Sequence, residues 1–142
     1  MITILLVRHA DIDLPPHSAD PSLNEAGRDR AEALAHVAGA AGVTTVFTSS
    51  LRRTKETAEP ISKLAGTACL EMPPPAVVAR EIRAGQHGPV VLIVGHSNTV
   101  PEIVAALSGY DDVPPIADDE FDTLYVVTVP TIGRASVLRI KY

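Results

Sequence analysis

At 142 residues, with a hydrophobic share of 46% and a charged share of 20%, the chain suits one compact domain that buries a core of its own. Its 17 acidic and 12 basic residues give a formal net charge of −5 without any run of Lys or Arg, which argues against a nucleic-acid surface. The single cysteine, Cys69, excludes an intrachain disulfide and fits a reducing compartment, and no stretch approaches the ~18 apolar residues of a membrane span.

Ile2 to Val7 is a short apolar run rich in β-branched residues, which predicts a buried strand. No basic segment precedes it and no cleavage-like site follows, so it does not read as a signal peptide, and a cytoplasmic location is expected. A polar, proline-bearing loop follows from Ala10 to Ser22. Asn24 then caps a predicted helix with Leu34, Val37 and Ala38 on one face, ending near Gly39 or Gly42. Val43 to Thr48 predicts a second strand. Leu51 to Ala65 predicts a second helix, which Pro60 is expected to bend or interrupt.

The Pro73-Pro74-Pro75 run does not continue a strand, but its last member opens a short helix through Arg83. Val90 to Val94 is a further apolar strand, with a helix from Pro101 to Leu107 beyond it. Asp122 to Val129 and Ala135 to Lys141 close the chain as two strands, with Gly133 in their turn. Strands alternating with helices predict a three-layer α/β/α sandwich with a mostly parallel sheet, residues 1–142 forming one domain. The loops at Asp11 to Asp20 and Asp111 to Glu120 are expected to be the most mobile.

Ligands of such sheets bind beyond the carboxyl ends of the strands. Three of these ends carry polar groups: Arg8-His9, then Thr48-Ser49-Ser50 followed by Arg52 and Arg53, then Gly95-His96-Ser97-Asn98. Two histidines and at least two arginines therefore meet at one edge. The arginine fork suits phosphate oxygens, and a histidine without metal serves as nucleophile, base or charge stabiliser.

These segments also resemble a family. Leu6-Val7-Arg8-His9-Ala10, Leu23-Asn24-Glu25-Ala26-Gly27, Thr48-Ser49-Ser50-Leu51-Arg52-Arg53-Thr54 and Val94-Gly95-His96-Ser97-Asn98 resemble, in order, the motifs of the histidine phosphatase (phosphoglycerate-mutase-like) superfamily. The short length and compressed middle are most similar to its small members, which include protein-phosphohistidine phosphatases. The resemblance implies that His9 takes the phosphoryl group, that Arg8, Arg53 and His96 surround it, and that Ser97 and Asn98 contact the ligand. A protonated His96 would stabilise the equatorial oxygens beside the arginines. It implies no metal and no cofactor, because the arginines supply the positive charge. The expected partners are a phosphorylated small molecule or a phosphoprotein, and neither nucleic acid nor membrane.

Two departures stand out. Ala10 stands where glycine is commoner in the family. Larger members also carry an acid between the arginine motif and the second histidine, whereas this interval is short and proline-rich; Asp11 or Glu120 are candidate substitutes. Without a proton donor an alkyl alcohol leaves poorly, whereas imidazole (pKa ~6.5) or a phenol (~10) leaves readily. The expected substrates are therefore phosphohistidine, phosphoramidates or aryl phosphates.

Other residues read more plainly. His36 and His87 are expected in loops or on the surface, His17 in the first loop with a place at the pocket mouth open to it, and Arg52 on the surface. The acidic cluster Asp118-Asp119-Glu120 reads as a solvated loop, and Cys69 as a buried small apolar residue. The 5 histidines and Cys69 show no metal-ligand spacing. Two other functions compete with a phosphatase: a mutase, for which the chain lacks enclosing insertions, and a non-catalytic module that binds phospholigands.

Overall fold

The computed structural model describes all 142 residues, and the apolar runs of the sequence become the strands of one sheet. In chain order the elements are β1 (Ile2–Arg8), α1 (Glu25–Ala38), β2 (Thr45–Thr48), α2 (Arg52–Ala65), β3 (Cys69–Glu71), α3 (Pro75–Arg83), β4 (Val90–Gly95), α4 (Thr99–Ser108), β5 (Thr123–Val129) and β6 (Ser136–Lys141). The 6 strands lie in the order β3-β2-β4-β1-β5-β6. Pairings β2·β3, β2·β4 and β1·β4 are parallel, while β1·β5 and β5·β6 are antiparallel.

Strand alternation sorts the core onto two faces. Ile4, Leu6, Phe47, Val91 and Ile93 point to the side covered by α3 and α4, where they meet Val78, Ile82, Ile103 and Leu107. Leu5, Val7, Val46, Leu92 and Val94 point to the other side, against Leu34 and Ala38 of α1 and Ala58 and Ile61 of α2. The architecture is the expected three-layer α/β/α sandwich with a mostly parallel sheet. No helix is long and apolar enough to cross a membrane.

Several local expectations need correction. β3 was not anticipated: its three residues are all exposed and form a short sheet edge, which leaves no alternation to read. Cys69, expected to be buried, is exposed on that edge. Val37 is 50% exposed, because only Leu34, Ala35 and Ala38 of the last turns of α1 face the sheet. Pro60 does not interrupt α2; burial of Thr57, Ala58 and Ile61 around it keeps the helix continuous. His87 is a structural residue rather than a free surface group, its ring packing edge-on against Phe47 at 4.8 Å and bonding Glu81 at 3.0 Å.

The loop after β1 is tied to the start of α1. The Asn24 N–H donates to the Asp11 carbonyl (3.0 Å), while the Asn24 side chain caps the helix by accepting from Gly27 N–H (2.8 Å). A Cβ at position 27 would sit 2.1 Å from the Asp11 carbonyl oxygen, so only glycine allows this approach. Gly27→Ala is expected to lower stability by about 1–3 kcal/mol, the usual cost of overpacking, seen as a reduced urea midpoint. An unchanged midpoint would show that the loop has room to yield.

Candidate active site

The site begins in the ladder between β1 and β4. Their parallel register pairs Arg8 with Gly95, and the His9 N–H donates to the Gly95 carbonyl at 2.8 Å, one residue past the strand. His9 and His96 thus emerge side by side, with ring centroids 5.5 Å apart and planes inclined by 61°. A Cβ on Gly95 would lie 2.9 Å from the Thr99 hydroxyl, which accepts the His96 N–H at 3.0 Å. Glycine here lets Thr99 close the turn. Asn98, at the cap position of α4, makes no side-chain capping bond and stays with the pocket.

His9 is held in one orientation. Its Nδ1 lies 2.8 Å from the Ala10 carbonyl, which only accepts, so Nδ1 carries the proton and Nε2 the free lone pair. The Ala10 N–H in turn donates to the Thr57 hydroxyl (2.8 Å), and that hydroxyl donates to the Arg53 carbonyl (2.7 Å). Thr57 therefore links the His9 backbone to the helix turn that carries Arg53. The Ala10 methyl, where the family more often has no side chain, is fully buried and packs with Ile12, Leu23, Ala31 and Phe121.

Arg8 is fastened from the far end of the chain. One terminal nitrogen donates to the carbonyls of Ala117 (3.1 Å), Asp118 (2.9 Å) and Glu120 (2.9 Å), and the guanidinium lies over the Phe121 ring at 4.2 Å. Burial lowers its pKa, with Asp118 the chief opposing influence. The Nε atoms of both Arg8 and Arg53 are buried without a hydrogen-bond partner. Unpaired buried donors are uncommon in folded proteins, and two occur here in residues that line one pocket.

Arg8, His9, Arg53, His96, Ser97 and Asn98 all line one pocket of roughly 430 Å³. Ile12, Leu14, Pro16, Ala19, Pro21 and Leu51 add an apolar wall. Burial first, then Arg8, His96 and Arg53, lowers the His9 pKa to about 4, against an ordinary 6.5. His96 is likewise lowered to about 4, by burial, then Arg53 and Arg8. With the charges this chain itself provides, His96 is therefore neutral at pH 7, whereas the protonated state expected from the sequence is that of a ring beside a phosphoryl group.

The two candidate acids are not brought to this pocket. Asp11 accepts from Arg30 Nε at 2.6 Å and is not among the lining residues. Glu120 is held as a carboxylate by the Thr123 hydroxyl, Lys141 and the Ala117 N–H, which lower its pKa to about 2. The carboxylate that does line the pocket is Asp118, read from the sequence as part of a solvated loop. His17 does not reach the lining; it is exposed and pairs with Asp13 at 3.2 Å. Arg52 is exposed as expected, contacting Asp20, Ser22 and Glu56.

The sequence reading missed Thr57, Phe121 and Asp118, and named Ser49 only as part of a motif. Thr57 had a usable signal, one helical turn beyond Arg53. Phe121 and Asp118 had none, since they reach the site from more than a hundred residues away.

Fold and strand-end site together define a three-layer α/β/α protein of the phosphoglycerate-mutase-like fold. Residues 4–73 match the family model of the histidine phosphatase superfamily (branch 1). No curated protein matches its sequence. Among solved structures, the protein histidine phosphatase SixA complexed with tungstate is similar at a TM-score of 0.80 and 18% identity, over 99% of this chain and 97% of that one. SixA from Agrobacterium tumefaciens is similar at 0.68 and 20% identity, over 96% and 97%. A mycobacterial glucosyl-3-phosphoglycerate phosphatase with inorganic phosphate is similar at 0.71 and 16% identity, over 90% of each chain. At these identities the fold is what is shared.

The lowered histidines make stability depend on pH. Between about 6.5 and about 4 the unfolded chain binds protons at His9 and His96 that the folded chain does not. Their contribution is therefore full above the unfolded value and is lost as pH falls through this window. NMR titration without phosphate is expected to give both midpoints near pH 4, with inorganic phosphate raising that of His96. A midpoint near 6.5 for either ring would contradict the burial argument.

Proposed function

We propose that the chain is a single-domain, metal-independent phosphatase that carries the phosphoryl group on Nε2 of His9. The observation that carries this reading is the state of His9. Its Nδ1–H is committed to the Ala10 carbonyl, and its low pKa leaves Nε2 unprotonated at neutral pH, on the wall of a pocket that also holds Arg8, Arg53 and His96. A binding site needs cations for phosphate; it does not need an oriented, deprotonated imidazole.

In the first step the Nε2 lone pair attacks phosphorus. The P–N bond to His9 forms as the bond to the leaving group breaks, and that group departs with the electron pair. The guanidinium groups of Arg8 and Arg53, both of which line the pocket, stabilise the oxygens on which charge collects. In the second step water attacks phosphorus and the P–Nε2 bond breaks. Its electron pair returns to the ring, inorganic phosphate is released, and neutral His96 is placed to take the proton water gives up. A bound dianion raises the pKa of His96, so the ring can then hold that proton.

The charge inventory supports the substrate preference. Arg8 and Arg53 are the only arginines or lysines lining the pocket, and both are needed for the phosphoryl oxygens. Beyond the two histidines and the neutral polar Ser18, Ser97 and Asn98, the wall is apolar or carries Asp118, so it offers no further arginine or lysine to a second anionic group. A neutral, aromatic or cationic leaving group fits, as in phosphohistidine, a phosphoramidate or an aryl phosphate, whether on a small molecule or a protein. The exposed, unpaired Cys69 is consistent with a reducing, cytoplasmic setting.

With EDTA present, wild type is expected to hydrolyse p-nitrophenyl phosphate, and His9→Ala to fall to the uncatalysed background. Glycerol phosphate is expected to turn over far more slowly than the aryl ester. Turnover that survives His9→Ala would contradict the nucleophile, and equal rates on both esters would contradict the leaving-group preference. Phosphate binding without any turnover would instead favour a binding module.

A further inference from the structure

One assignment of protons satisfies every contact of the hydroxyl pair beneath His96. The Thr54 hydroxyl lies 2.8 Å from the Leu51 carbonyl, an acceptor only, so Thr54 donates there. Ser49 Oγ is 2.9 Å from Thr54 Oγ1, whose proton is already used, so Ser49 donates to Thr54. The Ser49 proton is then spent. Its oxygen lies 2.9 Å from His96 Nε2 and also accepts the Leu51 N–H at 3.3 Å, so under this assignment the ring donates in the His96 contact.

We infer that Ser49 and Thr54 are positioning residues that lock His96 in the Nε2–H tautomer, leaving Nδ1 as the atom that faces the phosphoryl group and exchanges the proton. Ser49 directly follows β2, and Thr54, fully buried in α2, sits beside Arg53. The same helix turn thus sets both an arginine and the tautomer of the second histidine. Thr57, one turn on, does the equivalent for His9 through the Ala10 peptide. The two rings end up with opposite tautomers, Nδ1–H on His9 and Nε2–H on His96. Neither can then exchange roles with the other.

This inference rests on the proposed phosphatase chemistry for its kinetic part, but not for the tautomer itself. The charged and titratable groups near His96 are Arg53 on α2, Arg8 and His9 at the end of β1, and Asp118 at the pocket wall. None of them is altered by changing Ser49, so a shifted pH profile reports the relay.

Long-range ¹H–¹⁵N NMR of the histidine rings in wild type and Ser49→Ala tests the tautomer directly. The expected result is Nε2–H for His96 in wild type and a mixture of tautomers in the variant. In parallel, kcat on p-nitrophenyl phosphate is expected to fall about tenfold in Ser49→Ala, the scale of one lost hydrogen bond, with KM little changed. Its pH profile is expected to shift, and Ser49→Thr, which keeps a hydroxyl, to restore it. A His96 ring with the proton on Nδ1 in wild type would overturn the inference, as would a Ser49→Ala enzyme with unchanged tautomer, kcat and pH profile. A wild type without turnover would overturn the phosphatase reading, while the NMR result would still decide the tautomer.

Discussion

The parallel register of β1 on β4 is the constraint from which the site follows. Arg8 pairs with Gly95, so His9 and His96 leave the sheet at the same level and their rings meet at 5.5 Å. A slip of one residue would turn each side chain to the opposite face and separate them. The register is secured from both sides: Ile4, Leu6, Val91 and Ile93 are packed under α3 and α4, and Leu5, Val7, Leu92 and Val94 under α1 and α2. The ordinary hydrophobic core therefore sets the separation of two chemical groups that themselves contribute nothing to burial of apolar surface.

Around that pair the fold holds charge in an unfavourable place. Two arginines lie partly desolvated with unpartnered Nε atoms, and their field, with burial, keeps both histidines neutral. Such groups weaken the folded state on their own. In the proposed reading a phosphoryl group supplies the negative charge that balances these cations. The carbonyls of Ala117, Asp118 and Glu120 and the ring of Phe121 hold Arg8 still meanwhile, and Thr57 does so for the His9 backbone. Preorganisation of this kind lets the charge act without rearrangement during the reaction.

Much of the fold was legible because long apolar runs leave few alternatives. Val90 to Val94 and Ile2 to Val7 can only be strands buried on both faces, and Asn24 and Pro75 announce the helices they open. β3 was hidden because three exposed edge residues follow no period. At the site, Arg8, His9, Arg53 and His96 stood out because each follows a strand end within a recognisable motif. The groups that hold them did not. Phe121 and the 117–120 carbonyls act on Arg8 through a contact that no local pattern encodes. Thr54 looks like an ordinary helix residue until its hydroxyl is seen to be buried and counted, and Thr57 offered only its place one helical turn beyond Arg53. Neutral histidines were likewise invisible, since burial is a property of the packed chain.

In the proposed mechanism the phosphoryl group passes through Nε2 of His9. Rapid quenching of the wild-type enzyme into alkali during turnover of a ³²P-labelled aryl phosphate tests it directly, because a phosphohistidine survives alkali. Mass spectrometry then locates the modified residue and ring nitrogen. The expected result is a transient adduct on Nε2 of His9 that forms and decays as fast as the enzyme turns over. Label on another residue, or an enzyme that turns over with no covalent label at all, would contradict it.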